Sequence, residues 1–118
     1  MKKFLIALFF IISTYLGHAQ VYVDGKNLND MDVTYIELLG VNTSLIGVKM
    51  KIYVDYGQKV KLFKPAKITT KDGKVKKFNT MMDALNFFYK NGWEFVQFSQ
   101  GTLNGKLRIS YLLKKRNK

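Results

Sequence analysis

The sequence predicts an α+β domain: an antiparallel sheet of four or five strands with one helix, at about residues 80–91, packed on one face. Three local patterns carry this prediction. Apolar and polar residues alternate through 48–56, helix-spaced apolar residues follow a capping signal at residues 79–80, and Asn104-Gly105 separates two strand-like runs. Because the patterns differ in period and do not overlap, they indicate separate elements of one small domain.

The first strands are expected between residues 21 and 56. Val21–Val23 is a short extended piece, with a turn signal at Asp24-Gly25 behind it. Val33–Leu39 is rich in branched and aromatic residues and is expected to end at Gly40. In 48–56 the even-numbered positions are apolar or aromatic, which is typical of a half-buried antiparallel strand. A short loop at 42–47 would return the chain, so the two longer strands are expected to pair.

Residues 58–78 are rich in lysine and predict a hairpin at the edge of the sheet. Pro65 disfavours a central strand position. Lys71-Asp72-Gly73-Lys74 is a turn signal with short extended flanks at 67–70 and 75–78. Lysines at a sheet edge discourage unwanted strand pairing, so this cluster has a structural explanation beside any functional one.

One helix is expected over residues 79–92. Asn79 or Thr80 would cap it, and Asp83 completes a capping-box-like start. Apolar residues then recur at helical spacing, and Asn91-Gly92 provides a stop signal because glycine tolerates the left-handed conformation. Trp93 would fold back onto the helix as a large apolar anchor. The residues predicted to form the core are Met81, Leu85, Phe88, Trp93 and Ile109.

Two further strands are expected on either side of Asn104-Gly105, a pair that favours a two-residue hairpin. They are Trp93–Phe98 and Leu107–Leu113. The basic segment 114–118 has nothing to bury and is expected to be a disordered tail. A single domain is therefore expected over residues 20–113.

The run Phe78–Phe88, followed by Gly92-Trp93-Glu94-Phe95-Val96, forms a recognisable motif. It resembles a group of small exported proteins of Gram-negative bacteria, and it is similar to a widespread family of small domains of unknown function. In these proteins an amphipathic helix leads into a Gly-Trp-Glu strand. The resemblance implies a compact sheet with one packed helix, and it brings no activity, cofactor or catalytic residue.

The N-terminal segment predicts export from the cytoplasm. Residues 2–3 are basic, Phe4–Ile12 is an unbroken apolar run, and Gly17 and Ala19 supply small residues for cleavage. The apolar run is too short to span a bilayer, which needs about 20 residues. We therefore expect a signal peptide at 1–19 and a soluble periplasmic or secreted protein that does not span a membrane after cleavage.

The residue inventory behind this leader excludes several kinds of site. Residues 20–118 contain neither cysteine nor histidine, since the only histidine is His18. Disulfides and a cysteine-linked lipid anchor are thereby excluded, as are the usual zinc, copper and haem sites. The usual triad base and the thiolate nucleophile are also missing. We expect no metal site, no cofactor, no catalytic residue and no enzymatic activity.

The charge favours anionic partners. The net charge is +12, and removal of Lys2 and Lys3 would lower it by two, to +10. Arginine is scarce, and lysine acts as a solvated point charge, so a merely solvated surface is the competing explanation and specific nucleic-acid binding is not expected. The candidate anion-binding residues are Lys59, Lys61, Lys64, Lys67, Lys74, Lys76, Lys77, Lys114, Lys115 and Arg116.

Three functions stay open at this point. The first is a non-enzymatic exported binding or accessory module, with an anionic envelope component or a protein as its partner. The second is a small cell-envelope glycan hydrolase with two carboxylates, for which Asp55, Asp83 and Glu94 are the candidates. The third is an assembly component that pairs through an exposed sheet edge, offered by the Asn104-Gly105 hairpin or by strand 33–39.

Overall fold

The computed structural model describes residues 20–42, 50–59 and 66–116, so the leader at 1–19 and most of the expected loop at 42–47 lie outside the described residues. Over these ranges the chain forms two antiparallel sheets, one α-helix and a 3₁₀ turn at Leu28–Asp30. The predicted α+β class is confirmed. The elements are β1 Tyr22–Val23, β2 Lys26–Asn27, β3 Tyr35–Asn42, β4 Met50–Asp55, β5 Ile68–Thr69, α1 Met81–Lys90, β6 Trp93–Leu103 and β7 Lys106–Lys115.

The larger sheet has four antiparallel strands in the order β4-β3-β7-β6. The expected pairing of 33–39 with 48–56 is confirmed, because Leu38 lies opposite Val54 across the β3–β4 pair. The expected hairpin at Asn104-Gly105 is confirmed too, and both turn residues have positive φ. Since β3 has a partner on each side, the expectation that strand 33–39 offers an exposed edge is wrong.

The strand β3 continues past Gly40, where the sequence predicted its end, and reaches Asn42. Gly40 is buried in the sheet beneath the helix, and a Cβ atom at this position would overlap the sulfur of Met81. The glycine is therefore explained by close approach of the helix side chain and does not act as a strand terminator.

The smaller sheet has the order β2-β1-β5 and consists of two-residue strands. The expected hairpin around residues 71–74 is present, since Thr69 bridges Val75 and the Lys76 amide donates to the carbonyl of Ile68 at 2.9 Å. A bridge between Tyr53 and Lys67 joins this hairpin to β4. The lysine-rich segment thus connects the two sheets, which the sequence did not predict.

The helix α1 lies within the predicted range and has the expected caps. The Thr80 side chain accepts a hydrogen bond from the Asp83 amide at 3.1 Å, and the Asp83 carboxylate accepts one from the Asn79 amide at 3.1 Å. Past the helix, Gly92 has φ +94°, the left-handed conformation that favours glycine. This turn places Trp93 directly at the start of β6.

The core lies between α1 and the face of the larger sheet that carries Ile36, Leu38 and Val54. Met81, Phe88 and Trp93 are buried there, and Leu85 and Ile109 are partly buried against them. Trp93 is the largest fully buried side chain among the described residues, at 1% exposure. The anchor expected from the Gly-Trp pair is therefore part of the core.

The C-terminal end departs from expectation. The strand β7 runs to Lys115, whose side chain is 8% exposed and donates from Nζ to the carbonyls of Asn29 at 3.1 Å and Met31 at 2.8 Å. Arg116 packs its guanidinium over the Tyr89 ring, 4.4 Å from its centroid. The expectation of a disordered tail is thus wrong for residues 114–116, because long-range contacts fix them, and 117–118 lie outside the described residues.

Candidate functional site

A groove of about 510 Å³ lies beside β4, between that strand and the second arm of the 67–78 hairpin. We call it the lysine groove. Four of its lining residues are lysines, and most of the others are apolar or aromatic. The lining residues are Met50, Lys51, Ile52, Tyr53, Lys67, Val75, Lys76, Lys77 and Phe78.

Two separate segments supply the four lysines. Lys51 comes from β4, where it alternates with the apolar Ile52. Lys67 is held beside the same strand by its bridge to Tyr53. Residues 76–77 follow the hairpin turn, and the bond from the Lys76 amide to Ile68 fixes where that arm begins. The groove therefore exists because the hairpin folds back beside β4.

Lys76 is held in place by aromatic rings. Its Nζ atom lies 4.5 Å from the centroid of the Phe87 ring on α1 and 5.8 Å from that of Phe78. Such contacts are worth about 0.5–1 kcal/mol at an exposed site. Because the side chain is half-buried against these rings, its charge is fixed at the groove wall and loses less conformational freedom when an anion binds.

In the described part of the chain, no carboxylate forms an ion pair with the lysines of the groove. None of the four has a carboxylate oxygen within 4.0 Å of its Nζ atom. The Asp24 carboxylate contacts Lys67 at its backbone, since Oδ1 accepts a hydrogen bond from the Lys67 amide at 3.1 Å. The lining residues that the structure describes thus carry four positive charges and no negative one.

The predicted anion-binding residues do not form one continuous surface. Lys67, Lys76 and Lys77 line the groove, whereas Lys74 is exposed at the hairpin turn and Lys59 is exposed beyond β4. Lys61 and Lys64 lie outside the described residues.

The three C-terminal candidates make contacts elsewhere in the fold, away from the lining of the groove. Lys114 lies in β7 opposite Tyr35 and Glu94, and Arg116 caps the end of α1 by donating to the Tyr89 carbonyl at 2.5 Å. Lys115 is directed into the fold and bound to backbone carbonyls, so its inclusion among the anion-binding residues is wrong. None of the three lines the groove.

Sequence reasoning missed Lys51 as a site residue. Its place on the charged face of an alternating strand was visible, but a solvated face explains such a residue equally well. Only the pairing of Tyr53 with Lys67 brings that face beside the hairpin. The proximity of Tyr53 and Lys67, which are 14 positions apart in sequence, was the missing information, and no local pattern contained it.

The three candidate carboxylates are dispersed. Asp55 is on β4 and Glu94 on β6, which are opposite edges of the larger sheet, so three strand spacings, roughly 14 Å, separate them. Asp83 is engaged in the helix cap. A two-carboxylate glycosidase needs its groups about 5–10 Å apart in one concavity. Asp55, Asp83 and Glu94 do not provide that arrangement, and none of them lines the groove.

A different pair of carboxylates does meet. Glu37 and Asp55 are directly opposite in the β3–β4 register, which places their Cβ atoms about 4.5–5.5 Å apart. Glu37 Oε1 accepts a hydrogen bond from the Ser110 hydroxyl at 2.6 Å, and Asp55 Oδ1 accepts the Gly57 amide at 3.0 Å. Both carboxylates thus have hydrogen-bond donors, and neither of them lines the lysine groove.

No helix in 20–42, 50–59 or 66–116 has both the length and the apolar character needed to cross a bilayer. Over the same ranges, no three acidic, histidine or cysteine side chains cluster in a way that would hold a metal ion. Comparisons of the chain with protein-family models, with curated proteins and with solved structures found no match.

Proposed function

We propose that this protein is an exported, non-catalytic module that binds an anionic component of the cell envelope in the lysine groove. The observation that carries the proposal is a groove with four lysines and, among its described lining residues, no acidic side chain. Export rests on the leader pattern of residues 1–19, with its basic start, apolar run and small residues at the cleavage point.

The chemistry of the groove suits a polyanion. Lysine presents a compact, hydrated charge without the two-pronged geometry of arginine, so it recognises charge density more than one particular shape. Fixed positive charges in a concavity raise the local concentration of anions and speed their association. The apolar floor of the groove, formed by Met50, Ile52 and Phe78 among others, adds contact area for the carbon skeleton of a ligand.

The absence of catalysis is supported by the side chains that remain. Residues 20–118 have no histidine or cysteine, and the groove residues within 50–59 and 66–116 include no carboxylate that would serve as a general acid or base. Binding is therefore the activity that this arrangement favours.

The proposal is tested by retention on heparin, a soluble polyanion, and by co-sedimentation with phosphatidylglycerol vesicles. The groove variant is Lys51→Gln/Lys67→Gln/Lys77→Gln. The matched control is Lys26→Gln/Lys90→Gln/Lys106→Gln, whose three lysines are also exposed and lie outside the groove. Both variants have the same net charge.

We expect the groove variant to elute from heparin at lower salt than the control, which should stay close to the wild type. The slope of log affinity against log salt should shrink by roughly two to three, since each neutralised phosphate of duplex DNA contributes about 0.9. Equal loss in the two variants would mean that net charge alone drives binding, and it would remove the groove from the proposal. Vesicle binding without heparin binding would identify a lipid headgroup as the anion.

A further inference from the structure

The strand β6 is an open edge of the larger sheet. It pairs with β7 on one side, and no strand in the described ranges pairs with its other side. The opposite edge, β4, is covered in part, because the Val54 amide donates to the Ala66 carbonyl at 3.0 Å and Tyr53 bridges Lys67. An open edge presents a row of backbone donors and acceptors that can pair with another strand.

This edge lacks the charges that normally prevent such pairing. The chain has 20 lysines and arginines, yet none lies in β6, and Glu94 is the only charged residue of its 11. A bulge between Phe95 and Gln97 interrupts the first part of the strand. From Gln97 to Leu103 the register with β7 is regular, so seven consecutive uncharged residues form an edge without a further bulge.

Apolar side chains are exposed along the same strand. Phe95 and Phe98 are each 47% exposed and Val96 is 48% exposed. The two rings flank Tyr111, with centroids 5.9 Å and 5.7 Å from its own. By the register of the sheet, Phe98 and Tyr111 lie on the face that packs against the helix α1. Because Phe98 is nevertheless half exposed, the helix does not cover this part of the face.

We propose that β6 pairs antiparallel with β6 of a second copy of this chain, which extends the sheet across a two-fold axis. An antiparallel pair centred on Gln100 places Phe98 opposite Thr102 and Ser99 opposite Gly101. These two pairs each join a larger side chain to a smaller one, and Gln100 lies opposite its own copy at the axis, so no charge is opposed at any of these positions. A two-fold interface must be complementary to itself, and this segment meets that condition.

The lack of charge along residues 97–103 allows a second copy of the chain to reach this edge. Two copies that each carry +10 after loss of Lys2 and Lys3 repel one another, and pairing through β6 sets no lysine or arginine of one strand opposite a lysine or arginine of the other. An acidic partner would be attracted to the lysine groove, beside the opposite edge strand. The self-pairing proposal is independent of the anion-binding proposal, because it uses none of the groove residues.

The test is sedimentation velocity of residues 20–118, the chain expected after removal of the leader, over a wide range of concentrations. The edge variant is Gln100→Lys, and the matched control is Asn86→Lys, an exposed position on α1 that adds the same charge away from the edge. We expect the wild type and the control to dimerise alike, and the edge variant to dimerise at least ~10-fold more weakly, because two like charges would oppose each other at the axis. Thr102→Lys tests the same edge if the first variant does not fold.

Hydrogen–deuterium exchange of the wild type at low and high concentration locates the interface. Amides within 97–102 should become protected as the dimer forms. A wild type that stays monomeric at every concentration would overturn the proposal, as would a dimer that Gln100→Lys and Thr102→Lys leave intact. Protection confined to another surface, or a heteromeric complex through β6 without self-association, would overturn it too.

Discussion

Replacing Trp93 by alanine should cost the domain about 3–5 kcal/mol of its free energy of unfolding. The side chain is 1% exposed, and a tryptophan buries roughly 150–250 Å² of surface. At about 25 cal/mol per Å², that burial corresponds to roughly 4–6 kcal/mol before the alanine methyl is subtracted. The cavity left between α1 and the sheet adds to the loss, which brings the estimate into the range measured for large aromatic residues in cores.

The indole nitrogen sharpens this prediction. Nε1 of Trp93 is buried and has no hydrogen-bond partner, and an unsatisfied buried donor costs about 1–3 kcal/mol. Trp93→Phe removes that donor while it keeps an aromatic ring against the core. The lost volume and the lost penalty then oppose each other, so we expect this variant to lose less than ~2 kcal/mol.

The assay is urea unfolding of the wild type and both variants, followed by far-UV circular dichroism. Fluorescence is unsuitable because Trp93 is the only tryptophan of the chain. The expected order of stability is wild type, Trp93→Phe, then Trp93→Ala, with unchanged m-values. A loss below about 1 kcal/mol for alanine would show that the side chain is not a core anchor. A loss well above ~2 kcal/mol for phenylalanine would show that the indole N–H makes a hydrogen bond in the folded chain.

Two further predictions concern contacts that join distant parts of the chain. Gly40→Ala should destabilise the domain by about 1–3 kcal/mol, because its Cβ would overlap the Met81 side chain. Most of that loss should vanish in a Met81→Ala background, as measured by urea unfolding of the two single variants and the double variant. If the two single losses simply add in the double variant, Gly40 and Met81 are not in contact. Lys115→Met should lower the free energy of unfolding by about 1.5–3 kcal/mol, because the charged hydrogen bonds to the carbonyls of Asn29 and Met31 are lost. A thermal melt equal to that of the wild type would mean that the Lys115 side chain is exposed to solvent and makes neither bond.

The elements with local signals were predictable from the sequence. The alternation in 48–56 anticipated β4, the Thr80–Asp83 cap anticipated the start of α1, and Asn104-Gly105 anticipated the turn between β6 and β7. In each case the deciding interaction lies within a few residues along the chain. A single strand pattern or cap is then sufficient to identify the element, although its ends shift by a few residues.

The features that were wrong or missed depend on contacts between distant segments. Gly40 suggested a strand end, yet its role is to make room for Met81, 41 positions away. The basic segment after Leu113 suggested a frayed tail, yet Lys115 is fixed by carbonyls near residue 30. Local propensity carries no information about such partners, so tertiary packing overrode it.

The candidate site was likewise predictable only in part, because some of its features have local signals and others depend on contacts between distant segments. The lysine cluster of 67–77 was visible in the sequence as an abundance of one charge, with Asp72 as its single acid. Its separation into groove residues and turn residues required the register between Tyr53 and Lys67. The same register added Lys51 and turned a charged segment into a concave surface.

The measurement that most directly tests this account is a nuclear magnetic resonance titration of the chain with a short heparin oligosaccharide. Because the lysine groove is expected to hold the anion, amide shifts should change at Lys51, Lys67 and residues 75–78, and β6 should be unaffected. Changes distributed over all exposed lysines, or concentrated at residues 114–116, would contradict the groove as the binding site.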